Sequence, residues 1–475
     1  MMQILEYHHF YLVGIKGVAM ASLAQCLLDA GKSVRGCDVS EKFVTQSLLE
    51  KRSVHIDIGF EGNIPAETEC VIYTAAHKGK FNPIVQAAQA QSIPTFSQAE
   101  AMASLFNQKQ GVAVCGVGGK STTSAMITWI LEKTGRQPSF SVGVGNIPGL
   151  DKTGQWQSDS QYFIAEADEY VIDPSAPSRG EEITPRFSFM NPWLTICTNL
   201  RFDHPDVYKD FEHTKTVFKR FFEQIKDGGV LVVNSDDQEL LHLAKEVAAA
   251  RNIQVVSYGE DIHSLVTFRN ITAHAGKTIA GFLSGEMYSL ELQIPGKYNV
   301  YNALAALTAC KVMGVEFDEG IAALASFRST LRRAEFIGEK NGVKFYDDYA
   351  HHPNEVKSVI HAFKEWFPDS KLMVAFQSHT FSRTKALFPE FIDAFAEADE
   401  VAMIDIFPSA REPYDASITS EMLCEEIEKE FVGKSARNYK TLANLAKYLQ
   451  HSLKPGDVCL TVGAGDIYKV HELLT

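Results

Sequence analysis

Several features that mark other classes of protein are missing from this sequence. Its apolar runs stay well short of the roughly 20 residues that a membrane-spanning helix needs, and its first residues, MMQILEYHHFYLVGIKG, lack the pattern of a secretory signal peptide. The eight cysteines are scattered and include no CxxC pair, which is typical of reduced thiols in a cytosolic protein. We therefore expect a cytoplasmic protein with no membrane partner.

A basic excess is also missing. The 475 residues include 45 Lys and Arg against 59 Asp and Glu, so the formal net charge is −14. Since nucleic-acid binders usually carry a basic stripe, we expect no nucleic-acid partner. An anionic small molecule remains compatible with this balance, because a local site can be positive within a negative protein.

Apolar, strand-like runs such as FYLVGI, GVAVCG, YFIAEAD and DVCLTVGAG alternate with helix-like stretches along the whole chain. This alternation predicts an α/β protein with mostly parallel sheets. Domains typically hold about 100–200 residues, so the length predicts three of them. We place their boundaries at polar stretches, which divides the chain into residues 1–107, 108–327 and 328–475.

A glycine-rich segment, GVGGKSTT, follows the apolar run that ends at Cys115 and precedes an amphipathic helix-like stretch. Backbone N–H groups of such a loop, and the positive end of the helix dipole, face phosphate oxygens. Lys120 is expected to reach the β- and γ-phosphates of ATP, and the Ser121 hydroxyl to ligate Mg²⁺. Val114 stands where the Walker pattern has its first glycine, so the loop is a shortened variant. The predicted ATP-binding residues of this loop are Gly116, Val117, Gly118, Gly119, Lys120, Ser121 and Thr122.

A second strand–loop–helix pattern lies near the start of the chain, in FYLVGIKGVAMASLAQCLLDAG. Ala19 occupies the place of the third glycine, so the dinucleotide-binding fingerprint is not met. The loop could still seat a pyrophosphate at the helix N-terminus, and Asp38 ends the next strand at the point where an acidic residue meets a ribose. A plain Rossmann-like turn without a ligand stays open as an alternative.

Acidic residues follow two later strand-like runs, YFIAEADEY and LTICTNLRFDHPDVY. In α/β sheets ligands gather outside the carboxyl ends of the strands, and Mg²⁺ prefers carboxylates, waters and phosphates as ligands. The candidate residues at these two strand ends are Glu166, Asp168, Glu169, Asp203, His204 and Asp206.

Together these segments resemble the Mur ligases of peptidoglycan synthesis. The motifs that carry the resemblance follow the family's order along nearly the whole chain: GIKGVAM, GVGGKSTT, EADE, TNLRFDH, GKYNVYNALAA, LRRAEF, DDYAHHPNEV, FQSHTFSRT and LTVGAGDI. The resemblance implies a Rossmann-like first domain that binds a UDP-sugar and a central P-loop ATPase-type α/β domain that binds ATP. It also implies a Rossmann-like α/β third domain that receives an amino acid.

The resemblance also implies the roles of individual residues. Lys120, Glu166, His204, Arg333 and His351 are expected to be catalytic, with Ser121, Glu166 and His204 at Mg²⁺. Further ATP contacts are expected from Asn299, Asn302, Arg332 and Asp348, with Arg332 or Arg333 returning to the nucleotide. The expected UDP-sugar residues are Gly14, Lys16, Gly17, Val18, Ala19, Met20, Asp38, Thr74 and Ala75. His352, His379 and Arg383 are expected to bind the amino acid, while His204 could instead act as a base.

The C-terminal motifs are similar to those of the alanine-adding branch of the family, so the expected reaction joins L-alanine to UDP-N-acetylmuramate through an acyl phosphate. EADEY, LRFDHPDVY and GNIPG are instead similar to the branch that attaches an L-alanyl-D-glutamyl-diaminopimelate tripeptide in cell-wall recycling. The sequence departs from the family at Val117 and Gly118, where threonine and histidine are usual, at SHTFSRT, and in the segment 171–192. We expect a monomer or weak homodimer.

Two hypotheses from other classes remain. A nucleotide-dependent oxidoreductase would need the complete dinucleotide fingerprint, and it leaves the second loop and DDYAHHP unexplained. A non-catalytic, nucleotide-binding relative is suggested by Val117 and Gly118, but the retained Lys120, Glu166 and His204 argue against it.

Overall fold

The computed structural model describes residues 3–61, 64–204, 207–274, 276–408 and 414–474. The strands are β1 (His9–Val13), β2 (Ser33–Asp38), β3 (His55–Ile58), β4 (Cys70–Tyr73), β5 (Thr95–Ser97), β6 (Gln110–Cys115), β7 (Ser139–Ser141), β8 (Gly154–Gln155), β9 (Tyr162–Glu166), β10 (Leu194–Cys197), β11 (Val230–Asn234), β12 (Gln254–Gly259), β13 (Val266–His274), β14 (Lys277–Ser284), β15 (Glu286–Leu292), β16 (Glu335–Lys340), β17 (Val343–Asp348), β18 (Leu372–Phe376), β19 (Glu400–Met403), β20 (Ser435–Asn438) and β21 (Val458–Val462).

The α-helices alternate with these strands. They are α1 (Val18–Asp29), α2 (Gln46–Lys51), α3 (Pro83–Ala90), α4 (Gln98–Phe106), α5 (Lys120–Lys133), α6 (Phe211–Phe222), α7 (Gln238–Ala250), α8 (Lys297–Val312), α9 (Phe317–Leu324), α10 (Pro353–Trp366), α11 (Phe381–Ala386), α12 (Phe388–Ala394), α13 (Ser420–Glu430), α14 (Leu442–Ser452) and α15 (Val470–Leu473). Short 3-10 helices span Ile4–Glu6, Gly79–Phe81, Pro177–Arg179, Arg186–Phe189 and Ile467–Lys469. In the described ranges we find no helix with the length and apolarity that a bilayer crossing requires.

The first sheet has the strand order β3-β2-β1-β4-β5, and its strands run parallel. The chain leaves β1 toward β2 on one side and returns to β4 on the other, so the order reverses beside β1. Crevices outside the carboxyl ends of strands form where the order reverses. The loop after β1 and the residues after β4 therefore share one crevice.

The second sheet has the order β15-β14-β13-β12-β11-β10-β6-β9-β7-β8. β6 lies between β9 and β10 and runs parallel to both. Its residues Gly111–Cys115 are buried, as expected for a parallel strand that is covered on both faces and reads as a continuous apolar run. The carboxyl ends of these three strands therefore lie side by side, although β10 begins 84 residues after β6 (194 − 110 = 84).

The third sheet has the order β16-β17-β21-β18-β19-β20, with an antiparallel edge strand β16 and parallel strands elsewhere. Helix α10 covers part of it and buries Val356, Ile360 and Phe363. A capping box between His352 and Glu355 begins this helix, which satisfies backbone N–H groups that have no partner within the helix. The carboxyl ends of β17, β18 and β21 are neighbours in this sheet.

The chain divides into two compact units. One comprises Met1–Asn270, Gly281–Leu290 and Tyr301–Ala325, and the other Ile271–Ala280, Glu291–Val300 and Ser326–Thr475. The first sheet and most of the second fall into one unit, while residues 271–274, 277–280 and 291–292 of the second sheet belong to the other. Within the first unit the core is continuous, and the rings of Phe106 and Phe163 lie 6.0 Å apart in it. The proposed domain boundaries at 107/108 and 327/328 stay predictions.

Candidate active site

The phosphate loop follows β6 in a conformation that two glycines permit. Gly116 has φ +121° and Gly119 has φ +85°, a region that favours glycine. A β-carbon at Gly116 would lie 2.2 Å from Thr198 Oγ1, and one at Gly119 would lie 2.4 Å from Asn302 Oδ1. Thr198 and Asn302 thus lie against the loop on two sides, so a larger residue at Gly116 or Gly119 would displace the loop.

Lys120 begins α5 and forms an ion pair with a buried carboxylate. Its ammonium lies 2.9 Å and 3.0 Å from the two oxygens of Glu169 and donates to the Gly116 carbonyl at 2.7 Å. Burial opposes the charge on Lys120, but Glu169 and Asp168 raise its pKa to about 12. The ammonium therefore stays positive at neutral pH, beside the loop where phosphates are expected.

Ser121 and Glu166 form an oxygen-rich pair at the end of β9. The Ser121 hydroxyl donates to Glu166 at 3.1 Å, and the Gly143 N–H donates to the other Glu166 oxygen at 2.7 Å. Burial raises the pKa of Glu166, although the Gly143 N–H and the Lys120 charge oppose this shift. The pair is suited to a hard cation, which would also favour the ionised carboxylate.

A second cluster lies beside Lys120. Ligand atoms of Glu169, Asp203 and His204 all lie within 4.8 Å of one another. The His204 Nε2 is 3.6 Å from Glu169 and 3.7 Å from Asp203, and these carboxylates raise the pKa of His204 against the effect of burial. Asp206, the remaining acidic candidate, lies outside the described residues.

Asn199 is a contact of the phosphate loop that the sequence analysis did not single out. Its side-chain oxygen accepts from Val117 N–H at 2.9 Å and Gly118 N–H at 3.1 Å, and its amide donates to the Gly118 carbonyl at 3.0 Å. Thr198 adds a hydroxyl bond to the same carbonyl at 2.5 Å. The position of Asn199 directly after a buried strand could have indicated this role, but only the pairing of β6 with β10 reveals its target.

The other expected ATP residues lie in different surroundings. Asn302 contacts the loop, since its Oδ1 accepts from the Thr123 hydroxyl at 3.4 Å and faces Gly119. Thr122 is buried on α5. Asn299 belongs to the other unit, where its amide donates to the Pro295 carbonyl at 2.7 Å.

Most of the expected UDP-sugar residues line one cavity of about 190 Å³ beside the first loop. Those that line it are Gly17, Val18, Ala19, Met20, Thr74 and Ala75, and they share it with Ser97, Gln98, Ala99, Ile172 and Arg186. Gly14 approaches Thr74 so closely that a β-carbon would lie 2.5 Å from its methyl group. The topology of the first sheet explains this meeting, because β1 and β4 are adjacent.

Lys16 and Asp38 lie under the first loop instead of lining that cavity. Lys16 is 2% exposed, and its ammonium donates to the carbonyls of Val39 at 2.8 Å and Glu41 at 2.9 Å. Asp38 is 1% exposed and accepts from the backbone N–H groups of Lys16 at 2.7 Å and Val39 at 2.8 Å. These hydrogen bonds hold the loop in place, and they give the buried ammonium of Lys16 and the buried carboxylate of Asp38 partners within the protein.

The structure distinguishes the two arginines after α9. Arg332 is buried, and its guanidinium donates to Asp347 at 2.8 Å and to the carbonyls of Gly463 and Gly465. Arg333 is exposed and lies 5.7 Å from the ring of Tyr349. Of the two, Arg333 has the side chain that is available to a ligand.

The remaining candidates gather at the carboxyl ends of β17 and β18. Asp348 accepts from two backbone N–H groups, and burial raises its pKa to about 6 although Arg333 opposes the shift. The rings of His351 and His379 lie 6.3 Å apart, and the Arg383 guanidinium donates to the His379 carbonyl at 3.3 Å. His352 differs, because its ring accepts from the backbone at the start of α10.

Comparison with known protein families identifies the family of this chain. Three family models match consecutive parts of the chain: "Mur ligase family, catalytic domain" at residues 9–110, "Mur ligase middle domain" at 114–310 and "Mur ligase, glutamate ligase domain" at 332–465. The chain belongs to the Mur ligase family. It is therefore an ATP-dependent ligase that forms amide bonds.

Relatives of this Mur ligase extend over its whole length. A UDP-N-acetylmuramate–L-alanine ligase from Clostridium kluyveri is 36% identical over 475 residues, which cover 98% of this chain and 97% of the relative. A protein of the same name from Desulfitobacterium hafniense is 34% identical and is covered to 99% of its length, against 98% of this chain.

Solved structures of other Mur ligases share the fold. A UDP-N-acetylmuramate–alanine ligase from Thermotoga maritima superimposes with a TM-score of 0.80 at 24% identity, with 98% of each chain covered. A murein peptide ligase from Psychrobacter arcticus superimposes with a TM-score of 0.66 at 21% identity, again over 98% of each chain. The predicted α/β fold with three domains is thus confirmed, while the roles of individual site residues stay predictions.

Proposed function

We propose that this Mur ligase joins L-alanine to the carboxylate of UDP-N-acetylmuramate at the expense of ATP, in the synthesis of peptidoglycan precursors. The observation that carries the proposal is the full-length identity of 36% to a ligase named for this reaction. The geometry is consistent with it, since the cavity beside the first loop, which we call the sugar-side cavity, lies in the same unit as the phosphate loop.

The chemistry requires an activated carboxylate, because a carboxylate is a poor electrophile. Its oxygen attacks the γ-phosphorus of ATP, the bond to the β-phosphate oxygen breaks, and an acyl phosphate and ADP result. The amine of the amino acid then attacks the acyl carbon, and inorganic phosphate leaves as the amide forms. Lys120 is placed to offset charge on the transferring phosphoryl group, as cationic side chains do in other phosphoryl transfers.

Mg²⁺ fits the residues present, because the side chains near Lys120 offer mainly oxygen donors. We propose that Ser121 and Glu166 hold one ion with the ATP phosphates, and that His204, with Glu169 and Asp203, provides further ligands. When bound, the metal would supply charge neutralisation for phosphoryl transfer.

The proposed partners are UDP-N-acetylmuramate and L-alanine, in a cytoplasmic monomer or weak homodimer. The cytoplasmic location is supported by the eight cysteines, which are all free and buried, as is usual in a reducing compartment. Size-exclusion chromatography with light scattering measures the oligomeric state directly.

The test is phosphate release from ATP by the purified protein with Mg²⁺ and UDP-N-acetylmuramate. Parallel reactions receive L-alanine, L-serine, glycine or the L-alanyl-D-glutamyl-diaminopimelate tripeptide. Stimulation by L-alanine is the expected result. Stimulation by the tripeptide alone would move the assignment to cell-wall recycling, the branch to which EADEY, LRFDHPDVY and GNIPG are similar. Background turnover in every reaction would favour a non-catalytic relative.

A further inference from the structure

The segment between β9 and β10 carries an arginine to the edge of the sugar-side cavity. Backbone bonds close the base of this segment: Ile172 N–H donates to the Thr184 carbonyl at 3.0 Å, and Arg186 N–H donates to the Tyr170 carbonyl at 2.9 Å. The Arg186 side chain consequently lies opposite the residues that end β9. Its guanidinium donates to the Asp168 carboxylate at 2.6 Å.

Arg186 lies where two cavities meet. The first, of about 190 Å³, extends from the N-terminus of α1 to Ile172. The second, of about 160 Å³, extends from Val18 to Glu166 and Asp168 at the end of β9. Val18, Ala19, Gln98, Ala99 and Arg186 line both cavities, so the two form a continuous path from the first loop toward the phosphate loop.

The charges along this path are unevenly placed. Of the described residues that line the two cavities, Arg186 is the only cation, whereas Glu166 and Asp168 bring two carboxylates to the far end. Asp168 is paired with Arg186 itself, and a metal ion held by Glu166 would offset the other carboxylate. Among these lining residues Arg186 is thus the positive charge to which a substrate carboxylate would be attracted.

The bond of Arg186 to Asp168 uses only part of the hydrogen-bonding capacity of its guanidinium. A guanidinium offers five N–H donors in a planar fork that matches a carboxylate, and the bond to Asp168 is made through one terminal nitrogen. The side chain is 28% exposed. Asp168 thus orients the guanidinium and leaves other donors free to face the cavity.

The outer part of the same segment is anchored on the first domain. Arg179 forms ion pairs with Asp173 at 2.6 Å and Glu181 at 2.7 Å, and its guanidinium lies 5.1 Å from the ring centre of Phe81. Lys80 lies 3.4 Å from Asp173. The ion pairs of Arg179 lie within the segment, and the contacts with Lys80 and Phe81 join it to the 3-10 helix Gly79–Phe81.

We propose that Arg186 is the receptor for the carboxylate of the sugar nucleotide and that it directs this carboxylate past Glu166 and Asp168 toward the phosphate loop. The proposal rests on the proposed function for the substrate class, a UDP-sugar with a carboxylate, but it does not depend on which amine is added. The departure of segment 171–192 from the family pattern gains a functional meaning, since this segment supplies the cation.

Direct binding tests the proposal without turnover. Isothermal titration calorimetry measures the dissociation constants of UDP-N-acetylmuramate and of UDP-N-acetylglucosamine, which has the same diphosphate but no carboxylate. The proteins are the wild type, Arg186→Ala, Arg186→Lys and a control, Arg220→Ala, whose arginine is exposed on α6 away from both cavities. Each is first checked for folding by thermal denaturation.

Arg186→Ala is expected to weaken UDP-N-acetylmuramate binding by roughly 10- to 100-fold, as for the loss of a charge-assisted pair, and to leave UDP-N-acetylglucosamine binding unchanged. Arg186→Lys should fall between Arg186→Ala and the wild type, because it keeps the charge but loses the fork. In turnover, the KM for the sugar nucleotide should rise far more than that for ATP.

An equal loss for both sugar nucleotides would overturn the assignment, because the arginine would then face the diphosphate. Unchanged UDP-N-acetylmuramate binding in Arg186→Ala would also overturn it. Failure of the proposed function has a different signature: the wild type would bind UDP-N-acetylmuramate but show no turnover with L-alanine. The proposal about Arg186 would survive that outcome.

Discussion

The first loop and the phosphate loop have the same local design and different uses of their lysines. Each follows a buried parallel strand and opens a helix, α1 or α5. The first loop has one glycine with positive φ, Gly14, and the phosphate loop has two, Gly116 and Gly119. Lys16 of the first loop is 2% exposed and donates to two backbone carbonyls. Lys120 of the phosphate loop lies at its helix N-terminus with a side chain 16% exposed, paired with Glu169.

The difference shows that a strand–loop–helix pattern with a lysine does not by itself define a phosphate site. The two loops differ in the group with which the lysine ammonium is paired. The Lys16 ammonium is paired with two backbone carbonyls, whereas the Lys120 ammonium is paired with Glu169, whose carboxylate lies beside Asp203 and His204. We therefore predict a structural role for Lys16 and a ligand-binding role for Lys120. The following substitutions test whether the two loops have these different roles.

Removing the phosphate-loop lysine should have the largest effect. Lys120→Ala is expected to lower kcat by about 1000-fold or more, because charge on the transferring phosphoryl group loses its partner. Phosphate release measures the rate, and circular dichroism confirms folding. Since Glu169 would keep only His204 as a cationic neighbour, Lys120→Ala combined with Glu169→Gln, and Glu169→Gln alone, serve as the controls for that carboxylate. A folded variant with normal turnover would contradict the assignment.

Removing the first-loop lysine should act on stability instead. Lys16→Met leaves the Val39 and Glu41 carbonyls without their buried donor, so the free energy of unfolding should fall by about 1–3 kcal/mol, while the KM for ATP should not change. Urea denaturation gives the first quantity and steady-state kinetics the second. An unaltered stability together with a large rise in the KM for the sugar nucleotide would instead restore Lys16 as a ligand-binding residue.

A smaller effect is expected at the side chain that braces the phosphate loop. Asn199→Ala removes the acceptor for the Val117 and Gly118 N–H groups, so the loop should lose its fixed conformation and the KM for ATP should rise by roughly 10-fold. Asn234→Ala, at the end of the next strand β11, is the matched control. Equal kinetics for the two variants would show that the brace is unimportant.

The smallest change is expected at Asp38, which ends β2 and accepts a hydrogen bond from the first loop. The Lys16 and Val39 N–H groups bond to different oxygens of Asp38. Asp38→Asn keeps an acceptor for only one of them and loses the charge, so the free energy of unfolding should fall by about 1 kcal/mol. Thermal denaturation at neutral pH measures it. A selective loss of sugar-nucleotide binding at unchanged stability would show that Asp38 meets a ribose, as the sequence suggests.

Much of the fold could be predicted from the sequence because its signals are local. Alternating apolar runs predict parallel sheets, and runs such as GVAVC become strands that are buried along most of their length. The motifs also placed Lys120, Ser121 and Glu166 near strand ends, and in the structure Ser121 bonds to Glu166 while Lys120 pairs with Glu169.

The contacts that the sequence analysis missed join segments far apart in the chain. Asn199 meets the phosphate loop because β10 pairs with β6, and Arg186 meets the first loop because the segment after β9 folds back. Of two adjacent arginines, packing buried Arg332 against Asp347 and left Arg333 exposed. Neither composition nor spacing contains this information.

The α/β class and the family of the chain could thus be inferred from the sequence, because they depend on local periodicity and on residue types at fixed spacing. The tertiary structure was needed to show which lysine pairs with a carboxylate, which arginine is exposed and which cation lines the sugar-side cavity. The physical reason is that neighbouring parallel strands bring together carboxyl ends that are distant in sequence, and burial there decides which charges are paired by the protein itself.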